Sequence, residues 1–153
     1  MQEWQMLYIF LAAFVLAAST IWVHAAGISL LMRYSPRALS QPQIPPFAIR
    51  RSLLRVVWGL FLLHIAEIAL WALFYLWRGY LPNAEAAFYF SGVTYTTVGY
   101  GDIVLAKPYR LLAPVEGLVG VLMCSLSTGY FFVVANRILQ RQPQGTPIAS
   151  DKE

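Results

Sequence analysis

Three long stretches of this chain carry almost no charge, and a fourth apolar stretch between the last two is too short to match them. The long ones run from about Trp4 to Met32, Leu53 to Trp77 and Leu111 to Leu139. A helix needs about 20 mainly apolar residues to cross the hydrocarbon of a bilayer, so each predicts a spanning helix. The fourth, from Ala84 to Thr97, follows Pro82-Asn83. There the Asn83 side chain can cap the first free amides, and Glu85 in the first turn suits the positive end of the helix dipole. Residues 84–96 are therefore expected to form a short helix that enters the membrane and does not cross it.

Composition agrees. Of 153 residues, 59% are hydrophobic and only 12% charged, against about 25% charged in soluble domains. This is one membrane domain. A net charge of +4 does not point to nucleic acid, because the cations sit beside the spans. Arg33, Arg37, Arg50, Arg51 and Arg55 fall in or near the first connection, and Arg137, Arg141 and Lys152 follow the third span. Basic residues favour the cytoplasmic side. That places the N-terminus outside and the C-terminus inside. The opening MQEW lacks a basic segment, and the apolar run behind it exceeds the roughly 7–15 residues of a signal core, so a retained helix is expected. The lone Cys124 lies in an apolar run and offers no disulfide framework.

Residues 96–102 read TTVGYGD. At membrane depth, non-helical backbone is tolerated only where it is buried in protein or lines a watery path. Gly99 and Gly101, two apart, permit positive φ without a Cβ clash, which lets successive carbonyls face one way. Thr97 adds a hydroxyl. Such a ladder of uncharged oxygens suits a dehydrated monovalent cation.

With its flank AFYFSGVTYTTVGYGD, Ala87 to Asp102, this stretch resembles the pore helix and selectivity filter of the potassium channel pore-domain family. The likeness covers about residues 53–139. It leaves out an extra N-terminal helix (1–32), a proline-rich basic linker (33–52) and a polar tail (140–153). It implies an all-α membrane protein with three transmembrane helices, a re-entrant pore helix (84–96) and a filter (97–101). One chain supplies one filter strand, so a homotetramer is expected. Thr97, Val98, Gly99, Tyr100 and Gly101 would bind the ion. The partners would be copies of the chain, membrane lipid and potassium ions, with no cofactor beyond the permeant ion. A bacterial inner membrane is the expected setting.

The resemblance also assigns supporting roles. Tyr89, Phe90 and Tyr95, with Tyr100 pointing away from the axis as in the family, are expected to form an aromatic sleeve behind the filter, with Thr96 beside it and Asp102 at the outer mouth. A plain core or lipid-facing role is the alternative for each aromatic. Where some relatives carry a buried glutamate behind the filter, this chain has Val93; where they carry tryptophans, it has Tyr89 and Phe90. Gly120 occupies a hinge-like place in the third helix, with close packing as the alternative. Cys124, Thr128 and Phe132 recur every four residues and are expected to face the inner cavity, Phe132 near its cytoplasmic constriction.

His64 and Glu67 stand one turn apart inside the second helix. An intramembrane carboxylate is a functional candidate by default. The two form either a structural pair, with His24 or the third helix as further partner, or a pH-sensing pair. No helix repeats arginines as a voltage sensor does, and no nucleophile–base pair suggests an enzyme. A non-selective cation channel and a non-conducting pore-fold subunit are the competing readings, against which the intact Tyr100 and the unbroken filter both argue.

Overall fold

The computed structural model describes residues 2–33 and 46–140. Four α-helices follow in order: α1 (Gln2–Arg33), α2 (Pro46–Trp77), α3 (Ala84–Tyr95) and α4 (Leu112–Leu139), with a 3-10 turn at Tyr109–Leu111 leading into α4. Among the described residues there is no strand. The helices α1, α2 and α4 are long and apolar enough to span a membrane. They are apolar around most of their circumference, the mark of a helix surrounded by lipid or protein.

The second helix begins at Pro46, ahead of the Leu53 expected from hydropathy. Residues 46–52 of the expected linker are therefore helical. Proline is well placed in a first helical turn, and Arg50, Arg51 and Arg55 are good helix formers that a hydropathy scale penalises. The rest of the expected linker and the tail beyond Gln140 lie outside the described residues.

At about 1.5 Å per residue, the 12 residues of α3 reach roughly 18 Å, well short of the roughly 30 Å hydrocarbon. Its start is fixed as anticipated: Asn83 is extended, and its Oδ1 accepts from the Ala86 amide at 2.8 Å. Ala87, Ser91 and Tyr95 recur every four residues and are all buried. That stripe faces the other helices.

Helices α1 and α2 pack antiparallel by reciprocal insertion. Leu63 fills the space over Gly27, and Leu31 fills the space over Gly59. At the other end the Arg78 guanidinium lies 5.1 Å from the centre of the Tyr8 ring. Between them, the Trp71 indole donates to Thr20 Oγ1 at 3.0 Å. The main core joins Ile9, Ala13 and Leu16 of α1 to Trp71 and Tyr75 of α2, with Phe90 of α3 and Leu112 of α4 completing it. The first helix thus packs on its own chain's α2 and α4.

On α4, Gly120 is the seat for the end of α3. A methyl group there would collide with the Tyr95 carbonyl, and one at Gly117 would lie 3.3 Å from the Thr94 oxygen. Backbone atoms cannot swing aside as a side chain can. Gly120→Ala is therefore expected to destabilise the fold by about 1–3 kcal/mol, measurable as a lower midpoint of unfolding in a detergent titration.

Candidate functional site

The last turn of α3 leads directly into the TTVGYGD segment. The Thr96 amide donates to the Gly92 carbonyl at 3.2 Å and the Thr97 amide to Thr94 at 2.9 Å. The Val98 and Gly99 amides both donate to the Val93 carbonyl, at 3.0 and 3.2 Å. Four successive N–H groups are thus turned back onto the helix end. Thr97, Gly99 and Gly101 have φ of 61°, 55° and 78°, while Val98 and Tyr100 between them do not have positive φ. Alternation of this kind gathers peptide N–H groups on one side of the chain and leaves the carbonyls on the other. For Thr97 the conformation is unusual, since a β-branched residue in the left-handed region costs about 1–2 kcal/mol. The Thr96 hydroxyl donates to the Gly92 carbonyl at 2.7 Å.

The aromatic side chains divide among different tasks. The Tyr89 hydroxyl donates to Asp102 Oδ2 at 2.7 Å and braces the far end of the loop. That bond holds the Asp102 carboxyl below its ordinary range. Phe90 is buried edge-on against Tyr75, ring centres 5.3 Å apart. Tyr95 points into the bundle, away from the loop, toward Glu67 and His64. Tyr100 is 71% exposed. A continuous sleeve of Tyr89, Phe90 and Tyr95 is therefore not what one chain forms, because the polar groups of α2 claim Tyr95.

Two hollows flank the loop. One of about 470 Å³ runs beside it, bordered by Val93, Thr97, Gly99, Asp102 and Pro114. The other, about 310 Å³, lies beneath it and is lined by Thr96, Thr97, Gly120, Cys124, Ser125 and Thr128. Three of the four residues expected around a cavity thus share one wall. The fourth, Phe132, is 68% exposed and lies beyond that wall.

His64 and Glu67 belong to a larger network. Glu67 Oε1 lies 2.8 Å from His24 Nδ1 on α1, and its Oε2 accepts from the Tyr95 hydroxyl and lies 3.2 Å from His64 Nδ1. His64 Nδ1 is also 3.0 Å from the Tyr95 oxygen, and its Nε2 is 3.0 Å from Ser127 Oγ on α4. All four helices meet there.

A second network escaped the sequence reading. Glu116 of α4 is fully buried, accepts from the Tyr75 hydroxyl at 2.7 Å and lies 2.5 Å from Ser91 Oγ. Ser91 has one hydroxyl proton, and the Ile68 carbonyl also needs it, at 2.9 Å. Both contacts are satisfied when Glu116 carries a proton and donates it to Ser91. The rule that singled out Glu67, a carboxylate inside an apolar span, would also have found Glu116.

A family model described as "Ion channel" matches residues 61–137, which include most of α2, all of α3, the loop and most of α4. The chain belongs to this ion-channel family. It is the family of pores with two spanning helices around a re-entrant loop. No curated protein and no solved structure matches the chain. The ion channel is an integral membrane protein, and α1 lies outside the matched region.

Two outcomes follow from this geometry in the channel. Asp102's folded-state value lies below its unfolded one, so the Tyr89 bond contributes above the ordinary carboxylate range and is lost as pH falls through the depressed value. Tyr89→Phe should move the Asp102 titration midpoint upward in an NMR pH series. At Glu116, Gln keeps a donor for Ser91 and an acceptor for Tyr75. Glu116→Gln should retain near-normal stability, whereas Glu116→Ala should lose about 1–3 kcal/mol by leaving the buried Tyr75 hydroxyl without an acceptor, as read from detergent unfolding.

Proposed function

We propose that the chain assembles as a homotetramer and conducts potassium selectively through residues 97–101. The observation that carries this reading is the alternating backbone of Thr97 to Gly101, with its amides tied back to α3. Carbonyls freed in this way, together with the Thr97 hydroxyl, can replace the water shell of a potassium ion. One strand cannot surround an ion, and fourfold symmetry supplies the ring. The exposure of Val98, Tyr100, Leu118 and Leu122 in the single chain supports a further protein surface there, since large apolar faces on a pore wall call for a neighbour.

Several features favour a cation along the axis. The C-terminal end of α3 aims its partial negative charge at the hollow beneath the loop. The ring of four Asp102 carboxylates would concentrate cations at the mouth. Gly120, Cys124 and Thr128 would border the inner cavity, with Phe132 at its narrow end. Arg33, Arg50, Arg51, Arg55 and Arg137 all lie at the end of the bundle away from the loop, since they fall at the C-terminus of α1, the N-terminal part of α2 and the C-terminus of α4. This supports a cytoplasmic face there and an external loop.

Reconstituted liposomes should pass potassium well ahead of sodium. Gly99 has φ of 55° and open space where a Cβ would go, so Gly99→Ala imposes backbone strain of about 1–2 kcal/mol per chain without a clash. The variant should keep its tetramer by cross-linking and lose potassium flux. Equal sodium and potassium flux in the parent protein, or undiminished flux in the variant, refutes the reading.

A further inference from the structure

The network around Glu67 has a charge problem. Its hydrogen bonds, apart from His24 Nε2, which is buried without a partner, are satisfied with both imidazoles neutral and protonated at Nδ1, the Tyr95 hydroxyl donating to Glu67, and Ser127 donating to His64 Nε2. Glu67 is then ionised, fully buried and in contact with no Lys or Arg among the described residues. A lone negative charge inside spanning helices is costly. Meanwhile the ligating atoms of His24, His64 and Glu67 all lie within 4.8 Å of one another.

We propose that His24, His64 and Glu67 bind a divalent transition-metal ion of the zinc class, with the Tyr95 hydroxyl as the neighbouring fourth donor. Two imidazoles and a carboxylate form a common three-ligand zinc set that leaves one position open. Imidazole nitrogen selects against magnesium and calcium, which take oxygen ligands. Tetrahedral bonds of about 2.0–2.1 Å put donors about 3.3 Å apart. Glu67 Oε1 is now 2.8 Å from His24 Nδ1 and Oε2 is 3.2 Å from His64 Nδ1, and no pair of the three ligands is more than 4.8 Å apart, so side-chain adjustments of about 1.5 Å or less bring the set to that spacing as each ring proton moves from Nδ1. Once His64 binds through Nδ1, its Nε2 carries the ring proton and donates to Ser127 Oγ, 3.0 Å away. Outer contacts of that kind orient most metal-bound histidines.

The ion also has a way in. His64 is the one partly exposed member, its side chain 19% accessible. It opens onto a hollow of about 340 Å³ that shares Cys124 and Thr128 with the hollow beneath the loop. A bound ion pins α1 to α2 and holds Tyr95, two residues before Thr97. Binding itself does not depend on which ion the channel conducts.

The test uses the full chain in lipid nanodiscs, equilibrated with zinc alone and analysed for metal content and by zinc-edge X-ray absorption. The expected result is one zinc per chain, retained in Cys124→Ser and weakened in His24→Ala by more than the roughly 10–100-fold that loss of an outer contact causes. The absorption spectrum should show two imidazoles, oxygen and no sulfur. Zinc that follows Cys124, zinc indifferent to His24, a sulfur or all-oxygen shell, or no zinc above background overturns the proposal. Should His24→Ala fail to fold, the spectrum and metal content of the parent chain decide alone.

Discussion

Lipid supplies no hydrogen-bond partner, so a chain that leaves helical geometry inside a membrane must settle every peptide group by other means. In this ion channel the loop after α3 settles its amides and leaves its carbonyls. The N–H groups from Thr96 to Gly99 return to carbonyls of Gly92, Val93 and Thr94. The opposite edge is left rich in acceptors and poor in donors. Contacts from the neighbouring helices hold α3, and with it the start of that edge, in place.

The short helix that carries the loop cannot be held by apolar packing alone. It has only 12 residues, and one stripe of them faces the bundle. Ser91 and Tyr95, one turn apart on that stripe, each reach a buried acid, Glu116 and Glu67 respectively. Those acids come from α4 and α2, so the helix is clasped from both sides. Apolar contacts are non-directional, whereas these bonds fix its rotation and its depth. Gly120 then allows α4 to close on the Tyr95 carbonyl, which fixes the point where the loop leaves the helix.

Much of this was legible before any coordinates. Span length is a local property of composition, and so is the Asn83 cap; both were visible in the order of residues. The beginning of α2 was not, because arginines that end a hydropathic run need not end a helix. The direction of Tyr95 was not either. It depends on how α3 is turned about its own axis, and the partners that set that turn, Glu67 and Glu116, lie 28 residues from Tyr95 and 25 from Ser91. An aromatic near a pore sequence invites a role beside the pore; only the neighbouring helices decide which way it faces. Glu116 was readable in principle, since a carboxylate in an apolar run is an anomaly wherever it falls.

The contact between His24 and Glu67 bears on how the chain is made. Synthesis delivers α1 to the bilayer before α2, with a polar imidazole in the C-terminal half of the helix and no α2 yet present to satisfy it. The second helix arrives with a carboxylate in the same predicament. Each is the other's remedy, and Leu63 and Leu31 drop into glycine notches as the two meet. Helices α1 and α2 thus carry the complementary groups of a matched hairpin, available to each other before α4 has been made.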